Sequence, residues 1–439
     1  MRLSLSTLAQ AANAVRRPAY DPREITCGVV HLGVGGFHRA HQAVYLDDAI
    51  AAGDRSWGII GVSMRKPDVA DALAAQDGLY TVETLDVQTS WRVIGSMRQA
   101  RTLPLDPQGV IADLAAATTH LVTLTVTEKG YCLAGDALDL THPDIVHDLA
   151  APDSPRSAAG VLVAGLARRR TAGGAPLTVI SCDNLMDNGA RLRASVLALA
   201  ERRDAGLARW IEAAVAFPDT MVDCIVPAPT DASRARTDAV LGLSDHASVQ
   251  REAYAEWVIA DRFVAPTPDW RSVGVTLTAD VGAARRLKLH VLNAAHSALA
   301  YLGLERGHTL VRAAIGDPQL ADRLDAMMRD EIAPALPELS VADYWQRTRV
   351  RFANPAIDHR LDQIAEDGAF KLSQRLYPLI LANARAGRPT AGMLAVVQAF
   401  LRHHPPADAA ALERLFPAAL WSEPGLRRAL TPTPSSLQD

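Results

Sequence analysis

Three side chains able to do chemistry recur at a telling spacing: Lys288, Asn293 and His296, as K-x4-N-x2-H within K-L-H-V-L-N-A-A-H-S-A-L-A-Y-L-G, residues 288–303. Leu, Val, Ala and Tyr surround them at helical spacing, and no Gly or Pro intervenes before Gly303. A largely buried helix is predicted. Asn293 and His296 are three apart and share a face, and Lys288, two turns earlier, returns loosely to that side. Taken singly, a Lys near a helix start is ordinarily solvated, and an Asn or His on an apolar face is ordinarily a satisfied core group. An amine, an amide and an imidazole together, in a helix whose only other polar residues are His290 and Ser297, point instead to a functional site.

The elements that must position them follow from the rest of the chain. At 439 residues there is room for two or three domains, and 49% hydrophobic with 21% charged residues is an ordinary globular balance. A net charge of −4 gives no sign of a nucleic-acid or membrane partner. Cys27, Cys132, Cys182 and Cys224 form no CxxC pair, which argues against a disulfide framework or structural zinc and fits a reducing compartment. The N-terminus has no apolar h-region and no run is long enough to span a membrane, so a cytoplasmic protein is expected.

In G-V-V-H-L-G-V-G-G-F-H-R-A-H, Val29–Leu32 read as a buried strand, Gly33–Gly36 as a tight turn, and Phe37 to about Ala52 as a helix. That arrangement cradles a dinucleotide phosphate. Gly33 and Gly35 fit G-x-G-x-x-G, but the third position is His38. A second strand, Trp57–Val62, leads to S-M-R-K-P-D, where Asp68 would favour the ribose of NAD and Arg65 with Lys66 could hold a 2′-phosphate. Further parallel strands are expected at His120–Thr127, Pro176–Cys182 and Met221–Val226, with helices such as Ser157–Arg170 and Ala190–Ala214 between them. Pro266–Asp280 reads as an extended connection. From about Arg285 the chain reads as nearly all helix, ending in a loose P-T-P-S-S-L-Q-D. The expected fold class is α/β: a Rossmann-like doubly wound parallel sheet domain over 1–280, then a mostly α-helical domain over 281–439.

Together, GVVHLGVGGFHRAHQAVYLDD, TVTEKGYC, SCDNLMDNG, FPDTMVD and the K-x4-N-x2-H segment resemble the polyol-specific long-chain dehydrogenases, the family of mannitol 2-dehydrogenase and D-mannonate oxidoreductase. The resemblance implies a metal-independent, NAD-dependent enzyme of two domains with its substrate between them. It implies Lys288 as general base, Asn184 and Asn293 as holders of the reacting oxygen, and His296 and Asp223 as substrate contacts. The chemistry suits these roles. Oxidising a secondary alcohol requires a base for the hydroxyl proton, a lysine serves only if burial and neighbours lower its pKa, and the alkoxide-like oxygen needs pre-aimed donors. The cofactor would meet Gly33, Gly35, Gly36, Phe37, His38, Arg39, Asp68, Thr127 and Glu128. Two departures stand out: Ala294-Ala295 replaces the family's Gly-Ser, and the C-terminal end is short.

TVTEKGYC and QIAEDGAFKLSQRL look more like the mannonate branch, which implies D-fructuronate as substrate. Its carboxylate calls for a cation, and Lys371, Arg375 and Lys129 are the candidates. Mannitol or a related polyol such as arabinitol is the alternative, and a non-catalytic NAD-binding protein a remoter one. A monomer or small homo-oligomer is expected.

Overall fold

In the first apolar run, now strand β1 (Cys27–Leu32), side chains alternate between two buried layers. Val30 and Leu32 enter one core with Val122, Leu124 and Val179, while Val29 enters the other with Ile59, Leu121 and Ile180. A strand covered on both faces has no polar side to show, which is why these segments read as continuous apolar runs. The chain continues through α1 (Gly36–Ala40), α2 (Gln42–Ala51), β2 (Gly58–Ser63), α3 (Asp68–Ala74), β3 (Met97–Thr102) and β4 (Leu121–Leu124). Then come α4 (Pro143–Ala150), α5 (Ala158–Thr171), β5 (Leu177–Ser181), α6 (Asn188–Arg203) and β6 (Val215–Ala216). These six strands pair in parallel in the order β6-β5-β4-β1-β2-β3, the doubly wound Rossmann-like sheet that the alternation predicts. The order reverses between β1 and β4, so a ligand crevice opens beyond their carboxyl ends.

Several elements differ from expectation. The run Met221–Val226 is no central parallel strand. It contributes β7 (Thr220–Asp223), antiparallel to β8 (Glu256–Ala260), and β9 (Thr276–Thr278) lies parallel on β8's other side. The outer place in the main sheet goes to β6. The helix expected over Ala190–Ala214 is two helices, because Asp204 turns to extended backbone and caps the second through the Gly206 N–H. The helix expected from Phe37 to Ala52 breaks at His41 (φ −125°, ψ −86°). β3 and a four-stranded mixed sheet (Val15–Arg16, Tyr80–Leu85, Ser90–Ile94, Val249–Glu252) are not anticipated, since M-R-Q-A-R-T and S-W-R-V-I are half polar.

The chain divides into two compact units, Met1–Val281 and Gly282–Asp439, and the computed structural model describes residues 1–431. The expected loose tail, Pro432–Asp439, lies outside the described residues. The second unit opens with α7 (Gly282–Leu287), a π-turn over Lys288–Asn293 and α8 (Ala294–Glu305), and later includes α9 (Gly368–Arg375). α8 is buried along its length, with Leu299 and Tyr301 in the unit's core. Among the described residues this unit's β-pairing is one isolated bridge, Leu310 to Arg360, and no helix is long and apolar enough to cross a membrane.

Candidate active site

The glycine turn is set by a close approach. Gly33 has φ +97°, and a Cβ there would meet the Thr125 carbonyl oxygen at 2.1 Å, so only glycine fits. Gly35 precedes α1 and Gly36 opens it. His31, which the sequence reading passed over, supports the turn from within the sheet. Its Nδ1 is 2.7 Å from Thr123 Oγ1, and its Nε2 is 2.9 Å from Thr125 Oγ1 and 3.1 Å from the Gly33 oxygen. Burial pushes His31 down to about 3, so it is neutral. His38 occupies the third glycine position and stacks on His31 at 3.3 Å between centroids. Burial, followed by the influence of His31 and Arg39, holds it well below its usual range. Arg39 is buried too, donating to the Gly35 oxygen at 3.3 Å and to the Ala247 oxygen. Phe37 stacks on His41 at 4.9 Å. Thus Gly33, Gly35 and Gly36 shape the turn, and Phe37, His38 and Arg39 brace it.

A cavity of about 400 Å³ opens beside this turn. Gly33, Thr125 and Thr127 form one wall, and Ser63, Arg65 and Lys66 another. Ser157 and Ala158 bring in the start of α5, where Ser157 Oγ accepts from the Gly160 N–H at 2.9 Å. A helix N-terminus and two cationic side chains favour an anion such as a phosphate. Asp68 opens α3, exposed, and Glu128 is exposed in the turn after β4. Neither is among the cavity's lining residues, and at the end of β2 the charges are Arg65 and Lys66.

Asp183, unforeseen beside the expected Asn184, shapes the wall that carries Thr127. Its carboxylate accepts from the N–H groups of Val126 (3.1 Å) and Thr127 (2.9 Å) and from Tyr131 Oη (2.8 Å). Thr127 is thereby held at φ +64°, a conformation costly for a threonine. Burial raises Asp183 to about 6, against the lowering effect of those hydrogen bonds. Next along the turn, Asn184 is exposed. Asn188 locks the turn by donating to the Asp183 oxygen at 3.1 Å and to the Thr220 oxygen at 3.2 Å. It so ties the turn to β7, which ends at buried Asp223.

In the second unit, Lys288 and His296 are buried, at 9% and 7% exposure, and Asn293 is half-buried. The spacing argument holds for a reason the sequence hides. In a regular helix, 3.6 residues per turn would leave Lys288 and Asn293 on different sides. The π-turn bonds i to i+5, so Asn293 comes round above Lys288. The His296 ring packs on Phe352 (4.3 Å) and His359 (5.1 Å), and its Nε2 has no hydrogen-bond partner among the described residues. Burial first, then His359, Arg375, Arg351 and Lys288, drive its pKa well below the usual value.

Arg375 is less a surface charge than a strut: it donates to the Asn293 oxygen (3.0 Å) and to Ser297 Oγ (2.9 Å), and burial pushes it down to about 10. His290 Nδ1 in turn meets the Arg375 oxygen at 2.9 Å. Lys371 is half-buried and donates to the Ile364 oxygen at 3.1 Å, and after burial its charge is what lowers His359. A turn precedes it. Asp367 has φ +53°, and a Cβ on Gly368 would meet Tyr301 Oη at 1.9 Å. Lys129 is exposed in the first unit, on the turn after β4.

Comparison with known proteins covers nearly the whole chain. The mannitol dehydrogenase Rossmann domain matches residues 27–272, and the mannitol dehydrogenase C-terminal domain residues 280–421. Mannitol 2-dehydrogenase of Cereibacter sphaeroides is 40% identical over 89% of this chain and 83% of its own. D-mannonate oxidoreductase of Escherichia coli is 39% identical over 87% of this chain and 81% of its own. Among solved structures, Pseudomonas fluorescens mannitol 2-dehydrogenase in complex with NAD and D-mannitol superposes with a TM-score of 0.88 at 35% identity, covering 98% of this chain and 95% of that one.

Proposed function

The chain belongs to the mannitol dehydrogenase family, and on that premise we propose that it is a cytoplasmic NAD-dependent oxidoreductase that interconverts a sugar-acid ketone and its secondary alcohol, D-fructuronate and D-mannonate. The first unit takes the dinucleotide, with its phosphates at Gly33 and the start of α5. The glycine cradle and the cationic wall support this. The second unit supplies the catalytic helix. Bound nicotinamide provides the hydride. Lys288 holds the proton that passes to or from the reacting oxygen, and its burial suits that task. The side-chain amides of Asn184 and Asn293 donate to the same oxygen, which stabilises it as negative charge develops. His296 Nε2 and Asp223 hold the neighbouring hydroxyls.

The observation that carries the sugar-acid reading is the setting of His296. An uncharged imidazole lies under the influence of Arg375, Arg351 and Lys288, with Lys371 acting on the adjoining His359. A carboxylate leaving water must find cations or several donors, or its desolvation is not offset. A neutral polyol makes no such demand. The test offers fructuronate, tagaturonate, fructose and xylulose with NADH and NADPH, to the wild type and to Lys371→Met. Fructuronate with NADH should be preferred, and the variant should lose kcat/KM on fructuronate by roughly tenfold or more, with much less effect on fructose. Wild-type preference for fructose, or equal losses on both, would replace this reading with a mannitol-type one.

A further inference from the structure

Among the described residues outside those given a catalytic role, one group of side chains has the makings of a metal centre. Cys132, His142 and Asp144 each offer one ligand atom, and these atoms lie within 4.8 Å of one another. Two elements bring them together. Cys132 follows the turn after β4 in left-handed conformation (φ +52°), while His142 caps α4 and Asp144 lies in its first turn. A thiolate, an imidazole and a carboxylate form a borderline-soft set that suits zinc, cobalt or cadmium and suits magnesium or calcium poorly. Ligand atoms on tetrahedral zinc stand roughly 3.5 Å apart, so these side chains need close by only about 1 Å. Competition comes from Arg65, whose guanidinium is 4.0 Å from the Asp144 carboxylate. Its side chain is 81% exposed, and such a pair is weak and readily displaced.

The location gives the site its consequence. Cys132 and Asp144 line the same cavity as Gly33, Arg65 and Lys66. Three protein ligands leave a fourth position open. We propose that Cys132, His142 and Asp144 form an inhibitory site for a zinc-class divalent cation, which occupies the cavity wall and excludes the nucleotide. Binding transfers the thiol proton to solvent and changes no oxidation state. The competitive half rests on reading this cavity as the dinucleotide site.

Full-length protein, stripped with chelator, is titrated with cobalt(II) and then zinc. Cobalt should produce a near-ultraviolet thiolate charge-transfer band that zinc abolishes and that Cys132→Ser lacks. In a fluorescence titration, zinc should raise the apparent Kd for NADH in proportion to its concentration. His142→Asn keeps an acceptor for the Asp144 N–H that His142 now caps at 3.2 Å. It should bind NADH as the wild type does, yet need at least roughly tenfold more zinc for the same effect, as loss of even an outer-sphere partner would require. No band in the wild type, or equal zinc sensitivity in His142→Asn, overturns the site. A band without any effect on NADH affinity overturns the competition. Absence of NADH binding in metal-free protein, with the band intact, overturns the cavity's assignment to the nucleotide and leaves the metal site standing.

Discussion

On the proposed function, the two units prepare their sites by opposite means. In the first, the working surface is backbone. Gly33 brings the chain against Thr125, α5 presents its N-terminus, and the side chains that matter, His31, Arg39 and Asp183, face inward and hold that backbone in place. In the second, the working surface is side chains. Lys288, Asn293 and His296 project from one helical segment, and Arg375 steadies the backbone beneath them. A backbone site suits a phosphate, which needs many N–H groups and little else. A side-chain site suits proton transfer, which needs a titratable group at one spot. Damage to the first should therefore appear mainly as lost affinity, and damage to the second as lost turnover.

Lys288→Ala is the severest test of that division. Turnover should fall by about a thousandfold, within the span known for general acid–base groups, while NADH affinity by fluorescence stays within about twofold. Near-wild-type turnover would remove Lys288 from the mechanism. Asn184→Ala and Asn293→Ala should each lower kcat by roughly a hundredfold. An effect confined to KM would mean that the amides only bind the ground state. Gly33→Ala should do the reverse. With a Cβ forced to 2.1 Å from the Thr125 oxygen, the Kd for NADH should rise about tenfold or more, and kcat at saturating cofactor should change little. A fall in kcat at unchanged Kd would blur the contrast between the units.

The mildest test concerns the brace rather than the site. Asp183 keeps its proton to about 6 in the folded protein and only to about 4 when unfolded. The folded state thus binds the extra proton between those values, so this group favours folding at the acid end and its contribution is lost as pH rises through about 6. The Tm difference between wild type and Asp183→Asn should shift across that window and level off above it. A difference independent of pH would show that Asp183 titrates normally.

What the sequence disclosed follows the same contrast. Side chains proposed to do chemistry announce themselves by type, so Lys288, Asn293, His296 and Lys371 were legible as candidates, as were the glycines of the turn. The braces were not. His31 is a polar residue within an apolar strand, V-V-H-L, a signal available but unused. Asp183 looked like an ordinary turn former ahead of Asn184. Arg375 was expected only as a partner for a carboxylate, because nothing local shows that the Asn293 carbonyl needs a donor. Asp68 stood out by charge, yet α3 begins at that residue and carries it away from the cavity lining. In the fold, long β-branched runs were found and short or half-polar strands missed. The run at Met221 shows that apolar content alone does not say which sheet a strand joins.

The π-turn at Lys288–Asn293 carries a consequence for insertions and deletions. It accommodates one residue more than the same turn of α-helix would. Deleting a single residue there, Leu289 for instance, would let the hydrogen-bond ladder revert to its regular form at little cost in helicity. Lys288 would then stand four residues before Asn293 and keep its side, whereas inserting a residue would rotate everything upstream by about 100° and take the Lys288 amine off the side where Asn293 and His296 stand. The segment should accordingly tolerate the loss of one residue better than the gain of one. An insertion variant that folds normally, binds NADH and does not turn over, beside a deletion variant that does, would be the signature of that constraint.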